Sequence, residues 1–282
     1  MAAYAAVTNR IKLGTGVLHA VGRNVVMLAV EFLTLDELSA GRAILGISAP
    51  WNPMAHEIGI VKKKPLLAVE EYVTLLKRLF KGESVNFDGE YVHITDVKLG
   101  RKARKIPVYV GATGFKMIEL AGRLADGVVL NYLISPEYTR QCVDHLMVAA
   151  RARGVGPSEI DRPQLLACSL DEDFDKAISR VKPMVAEYLA KESHIAKACG
   201  ASKDSIEEVQ RIVMSSSTEE EGFRKAAPVV DDELVQCIAA VGDAEQCFRK
   251  VEEYVRAGCT CPLLHPVGEN AAEIIEAFST RL

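Results

Sequence analysis

A glycine turn between two apolar segments holds the residues best suited to bind a charged ligand. The turn reads Gly111-Ala112-Thr113-Gly114, and Lys116 follows it closely. The β-branched run before the turn predicts a strand, and the amphipathic segment after it predicts a helix. Glycines let the backbone approach a ligand closely, and the free N–H groups of a helix N-terminus bind anions. We therefore interpret the turn as a site for a cofactor phosphate, with the Lys116 ammonium adding positive charge. The alternative is a tight strand–helix turn that binds nothing.

Strands alternate with helices along most of the chain. Apolar runs predict six strands at residues 11–16, 43–47, 107–110, 128–130, 164–169 and 260–265. This alternation indicates a parallel sheet covered by helices. From about residue 171 to 241 the chain becomes helical and polar, which predicts a helical insertion before the last strand. Residues 84–94 alternate around Asp88-Gly89, which predicts a β-hairpin outside the main sheet.

Composition and charge narrow the classes of function. The chain has 282 residues, of which 49% are hydrophobic and 26% charged, with a formal net charge of −4. These values are typical of a globular protein that binds no nucleic acid. We expect a cytoplasmic protein without a membrane segment, because no signal peptide is present and no apolar run approaches roughly 18 residues. The seven cysteines show no Cys-x-x-Cys pair, so no metal site is predicted.

Four segments resemble the luciferase-like monooxygenase superfamily, whose members are TIM (β/α)8 barrels that use flavins or coenzyme F420. The segments are residues 9–17, 34–47, 111–131 and 240–258. Within the superfamily, the nearest resemblance is to the F420-dependent methylene-tetrahydromethanopterin reductases. The resemblance implies an α/β fold of the TIM-barrel type, with residues 1–282 forming a single domain. In this alignment the chain begins inside the second helix of the family pattern, so we expect a barrel that lacks its first two strands.

The resemblance also points to site residues at the C-terminal ends of the strands, where active sites of such barrels lie. A cis peptide bond that does not precede proline supports the cofactor ring in the family, and Gly16-Val17 is its counterpart here. Ser48 and Asn131 join the cofactor-binding candidates. His19 is the candidate catalytic residue, as an acid or as a donor to the cofactor ring. A purely structural histidine is the alternative.

Two strand ends depart from the reductase pattern. Leu18-His19-Ala20 stands where the reductases usually have Thr-Asn-Pro. Ser48-Ala49-Pro50-Trp51 stands where Gly-x-Gly-Asp is usual, so the usual acidic residue is missing. Trp51, the only tryptophan, offers an aromatic face on which a ring system could stack.

The main functional hypothesis is a coenzyme F420-dependent oxidoreductase that moves a hydride between the deazaflavin and a small organic substrate. Gly111, Ala112, Thr113, Gly114 and Lys116 would hold the phosphate end of the cofactor. One alternative is an FMN-dependent monooxygenase of the same superfamily, and another is a non-catalytic flavin-binding protein with a partial barrel. We also expect a homodimer, because an incomplete barrel leaves open sheet edges.

Overall fold

The computed structural model describes residues 1–50, 55, 57–60, 63–101, 103 and 105–279. The described helices are α1 Ala2–Val7, α2 Val25–Leu38, α3 Pro65–Phe80, α4 Phe115–Leu124, α5 Pro136–Ala152, α6 Phe174–Lys191, α7 Ser193–Ala198, α8 Lys203–Met214, α9 Glu219–Ala226, α10 Asp232–Ile238, α11 Ala244–Arg256 and α12 Ala271–Ser279. The described strands are β1 Leu13–Gly14, β2 Leu18–His19, β3 Ala43–Ser48, β4 Val85–Asp88, β5 His93–Val97, β6 Val108–Ala112, β7 Gly127–Leu130, β8 Pro163–Leu170, β9 Ala240–Gly242 and β10 Cys261–Pro266.

The chain divides into two compact units. The first comprises Met1–Val129 and His145–Asp161, and the second comprises Leu130–Asp144 and Arg162–Leu282. The expectation of a single domain over residues 1–282 stays a prediction. Within the described part of the chain, no helix is both long enough and apolar enough to cross a membrane.

The sheet of the first unit is parallel. Its strand order is β1–β3–β6–β7, and β2 also pairs with β3. Leu13 lies opposite Ala43, and Leu18 lies opposite Ile47, so β1 and β2 pair with successive parts of β3. The predicted strand at residues 11–16 was wrong in extent, because among the described residues only Leu13–Gly14 pair with β3 there and the next paired residues begin at Leu18.

The predicted hairpin is confirmed as a separate two-stranded antiparallel sheet formed by β4 and β5. Glu71 of α3 is buried and accepts hydrogen bonds from the N–H groups of Glu90, Tyr91 and Val92 at 2.8, 3.0 and 3.1 Å. A Cβ atom at Gly89 would lie 2.6 Å from a Glu71 carboxylate oxygen. Glycine at this position thus allows a buried carboxylate to attach the hairpin to α3.

The sheet of the second unit is centred on β8, which pairs in parallel with β7, β9 and β10. Helices α6 to α10 confirm the predicted helical insertion. The prediction was wrong at the end of that segment, where Ala240–Gly242 forms β9 opposite Cys168–Leu170. Three small residues carry no periodicity of their own, and they become a strand because the edge of β8 supplies hydrogen-bond partners. Behind the sheet, a buried cluster includes Leu166, Tyr254 and Phe278.

Candidate cofactor site

Three strand ends of the first unit bring together candidates from three separate sequence segments. His19 of β2 lies opposite Ser48 of β3, and the Ala20 N–H donates to the Ser48 carbonyl at 2.8 Å. On the other side of β3, β6 continues in parallel register. The Ser48 hydroxyl donates a 2.6 Å hydrogen bond to the Gly111 carbonyl. The structure therefore places His19, Ser48 and Gly111 at the same edge of the sheet.

The peptide bond between Gly16 and Val17 is cis, as the resemblance predicted. Thr15, just before it, is fixed to Gly46: the Thr15 hydroxyl donates to the Gly46 carbonyl at 2.8 Å, and the Gly46 N–H donates to the same hydroxyl oxygen at 3.0 Å. A Cβ atom at Gly46 would lie 1.9 Å from the Thr15 carbonyl oxygen, so this approach requires glycine. The sequence analysis missed both Thr15 and Gly46, although glycines flank Thr15 on both sides.

The glycines of this region differ in what surrounds them. A Cβ atom at Gly111 would lie 2.9 Å from Val17 Cγ1 and 3.3 Å from Ser48 Cβ, so packing already requires a glycine there. A Cβ atom at Gly16 or at Gly114 would meet no atom of the described residues within 4 Å. The backbone at these two positions is therefore open to the approach of a ligand.

The turn leads directly into α4, with Gly114 as the residue that precedes the helix. The N–H groups of Met117 and Ile118 bond back to the Gly114 carbonyl at 3.0 and 3.1 Å. Gly114 has no side chain with which to cap the helix, and a helix leaves its first N–H groups without partners inside the helix. Lys116 is exposed in the first turn. This end of α4 can therefore hold an anion by backbone dipoles and one mobile charge.

His19 combines a half-buried side chain with an enclosed Nδ1 atom that has no hydrogen-bond partner among the described residues. Buried polar atoms are bonded in the great majority of cases, so an unpaired one needs an explanation. A histidine that faces a ligand provides one. Trp51, the other candidate from this part of the chain, lies outside the described residues.

A stacked ring pair lies beside the start of α4, and the sequence analysis missed it. The rings of Phe115 and His145 are nearly parallel, at 7°, with centroids 4.3 Å apart. His145 Nδ1 lies 2.8 Å from a Glu119 carboxylate oxygen. The distance between Phe115 and His145 along the chain gives no local signal for this pair.

Asn131 belongs to the second unit, where it directly follows β7. Its side-chain oxygen accepts a hydrogen bond from the Tyr132 N–H at 3.0 Å, and its carbonyl accepts one from Gln164 Nε2 at 3.5 Å. Gln164 is fully buried and also bonds to the buried Thr139 hydroxyl at 3.0 Å. A buried polar network thus holds Asn131 at the C-terminal end of its strand.

Comparisons with known proteins agree on one family. The family model described as luciferase-like monooxygenase matches residues 1–261. The chain is 30% identical to a 5,10-methylenetetrahydromethanopterin reductase of Archaeoglobus fulgidus, over 98% of this chain and 83% of that protein. It is 26% identical to an F420-dependent glucose-6-phosphate dehydrogenase of Amycolatopsis mediterranei, over 99% of this chain and 80% of that protein.

Among solved structures, the coenzyme F420-dependent tetrahydromethanopterin reductase of Methanopyrus kandleri superposes with a TM-score of 0.88 at 25% identity. The alignment covers 100% of this chain and 85% of that one. This similarity confirms the predicted fold class, an α/β fold of the luciferase-like TIM-barrel type with a parallel sheet.

Proposed function

The chain belongs to the luciferase-like monooxygenase family, and from this premise we propose that it is a coenzyme F420-dependent oxidoreductase acting on a small organic substrate. The observation that carries the proposal is the open backbone of Gly114 at the start of α4, on the strand–turn–helix unit that also contains Gly111. An F420-dependent reductase and an F420-dependent dehydrogenase are both similar to the chain over nearly its whole length.

The residues of the first unit fit the anionic end of such a cofactor. Ala112, Thr113 and Gly114 would present backbone to the phosphate, and the Lys116 ammonium would add charge. Gly111 would keep the turn close to Val17, because any larger residue would collide with that side chain. An anion at this position gains from the helix N-terminus without needing a buried counter-charge.

The ring of the cofactor would lie against the Gly16–Val17 peptide, and His19 would offer a ligand its Nδ1 atom, which has no partner in the described part of the chain. Coenzyme F420, when bound, supplies the hydride chemistry, and the protein supplies position and electrostatics. Ser48 would hold the turn by its bond to Gly111. In the second unit, Asn131 remains a residue that we propose to contact the cofactor.

Titration of the purified protein with F420 and, separately, with FMN tests the proposal, with fluorescence or absorbance as the readout. We expect F420 to bind more tightly than FMN, and Gly114→Leu to abolish F420 binding by blocking the start of α4. Gly100→Leu is the matched control, since a Cβ atom at Gly100 also meets no atom within 4 Å in the part of the chain that the structure describes. Tighter binding of FMN would instead favour the FMN-dependent monooxygenase. Equal F420 affinity in wild type and Gly114→Leu would remove the turn from the site.

The homodimer remains a proposal, which rests on the open sheet edges expected of an incomplete barrel. Among the described residues, β1 is an end of the strand order and β2 pairs with β3. A sedimentation measurement would decide, because a dimer has twice the 30.7 kDa mass of the chain. A single species of 30.7 kDa would contradict it.

A further inference from the structure

Tyr132, Tyr188 and His265 form an aromatic cluster in the second unit. The ring centroids of Tyr132 and His265 are 6.3 Å apart with planes at 18°, and those of Tyr132 and Tyr188 are 6.4 Å apart at 39°. Tyr132 comes just after β7, and His265 lies near the end of β10. Both strands run parallel to β8, so the two rings lie towards the same C-terminal edge of the sheet. Active sites of TIM-type barrels are built at that edge.

Burial increases from one ring of the aromatic cluster to the next. His265 is exposed, Tyr132 is half-buried, and Tyr188 is only 6% exposed. A ligand that enters from solvent would therefore meet the rings of His265 and Tyr132 before it reaches the Tyr188 hydroxyl.

The Tyr188 hydroxyl is enclosed and has no hydrogen-bond partner among the described residues. Two other buried tyrosines have bonded hydroxyls: Tyr72 donates to the Arg23 carbonyl at 2.7 Å, and Tyr254 donates to the Ile134 carbonyl at 2.7 Å. An unpaired buried hydroxyl lowers stability, because the group loses its bonds to water and gains none. A bond to a ligand would compensate for that loss.

The charges around the aromatic cluster favour a neutral ligand. Burial is the largest cause that raises the pKa of both Tyr188 and Tyr132. Both phenols therefore stay protonated and can donate hydrogen bonds. Lys191, whose charge acts on Tyr132, is already paired with Glu187 at 3.2 Å and Glu219 at 2.8 Å. An anionic group at Tyr188 would be buried without a free counter-charge from Lys191, which is unfavourable.

We propose that the aromatic cluster binds a neutral, flat, unsaturated organic ligand, and that the Tyr188 hydroxyl donates a hydrogen bond to a carbonyl oxygen of that ligand. The ring faces supply apolar contact area, and the single hydroxyl fixes the orientation. Binding of such a ligand goes beyond the proposed function and does not require it. Only the further step, in which this ligand is the substrate of the oxidoreductase, rests on the proposed function.

The binding test uses the protein without F420 and two matched probes: coumarin, which is flat and neutral with one carbonyl, and coumarin-3-carboxylate, its anionic derivative. Calorimetry or ligand-observed NMR should show tighter binding of coumarin. Tyr188→Phe, which removes only the hydroxyl, should weaken coumarin about three- to tenfold, and Tyr132→Leu should abolish binding. Tyr91→Phe is the control, because that hydroxyl accepts the Lys64 N–H in the first unit, and it should leave the affinity unchanged.

A thermal melt separates this role from a structural one. Since the Tyr188 hydroxyl has no partner among the residues that the structure describes, Tyr188→Phe should melt at the same temperature as the wild type or higher, whereas Tyr254→Phe should melt lower. Equal coumarin affinity in wild type and Tyr188→Phe, or tighter binding of the carboxylate, would overturn the proposal. F420 titration of the wild type keeps the two proposals apart: failure of F420 to bind would remove the proposed function and leave the coumarin result standing.

Discussion

Ser48 and Gly111 are 63 positions apart in the chain and are joined by a 2.6 Å hydrogen bond from the Ser48 hydroxyl to the Gly111 carbonyl. The bond connects the end of β3 to the first residue of the glycine turn. The same turn packs against Val17, which belongs to the cis peptide bond. The turn proposed for the cofactor phosphate is thus held by Ser48 of β3 and packs against Val17 of the segment proposed for the cofactor ring.

Removal of this hydroxyl should loosen the turn. We expect Ser48→Ala to lower the free energy of unfolding by about 1 kcal/mol, the usual net value of one hydrogen bond, and to weaken F420 binding several-fold. Urea denaturation and F420 titration measure the two effects. Ser84→Ala is the matched control, since the Ser84 hydroxyl bonds to Asp96 on the exposed hairpin. An unchanged F420 affinity in Ser48→Ala would separate the bond from the site.

Gly111 should tolerate no side chain, for a reason of packing. Gly111→Ala places a Cβ atom 2.9 Å from Val17 Cγ1, and such overpacking typically costs 1–3 kcal/mol of unfolding free energy, about 2 kcal/mol here. The double variant Gly111→Ala/Val17→Ala should recover part of the loss, because it removes the colliding methyl groups. Chemical denaturation of the two single variants and the double variant gives the coupling. Additive losses would show that Val17 is not the cause.

Lys116 should strengthen F420 binding through its charge and should not contribute to the fold. Its side chain is exposed, and an exposed ionic contact contributes roughly 0.2–1 kcal/mol, so Lys116→Ala should weaken F420 binding up to several-fold. FMN should be affected less, because F420 has a longer anionic tail. The variant should also make F420 binding less dependent on salt. Titrations at two ionic strengths provide the measurement, with Lys81→Ala as an exposed control. Identical salt dependence in Lys116→Ala and wild type would contradict this role.

Alkaline conditions should destabilise the second unit through its buried thiols. Burial, with the nearby Cys199 as a smaller cause, raises the pKa of Cys142 to about 12. The folded chain therefore keeps this proton at a pH where the unfolded chain releases it, so stability falls as pH rises above the ordinary thiol pKa. From pH 8.5 to 10, this thiol alone should lower the free energy of unfolding by up to about 2 kcal/mol.

Urea denaturation of wild type and Cys142→Ala across that pH range isolates the effect. The variant should begin less stable at pH 8.5, because it loses a buried side-chain atom, and should lose less stability on going to pH 10. Parallel pH curves for the two proteins would show that the Cys142 thiol does not titrate differently in the folded and unfolded chains.

Local patterns in the sequence were sufficient to predict most of the helices and strands. The amphipathic segment after the glycine turn predicts a helix, and a helix is observed at Phe115–Leu124. The Asp88-Gly89 pair likewise marks the observed hairpin. Periodicity, caps and turn residues act over a few residues, so they can be read without knowledge of distant contacts. The resemblance to a family added the cis peptide bond, which no local pattern indicates.

Contacts between distant segments were decided only by the tertiary structure. β9 exists because the edge of β8 supplies partners to three residues with no pattern of their own. The fixation of Thr15 by Gly46 and the bond from Ser48 to Gly111 depend on strand register, which hydrogen bonding across the sheet sets. The sequence could not predict that the Tyr188 hydroxyl has no partner among the described residues, because whether a polar group finds a partner depends on every element packed around it. Local composition and spacing thus determined most of the helices and strands, whereas strand register and burial determined β9 and the side chains that remain available to a ligand.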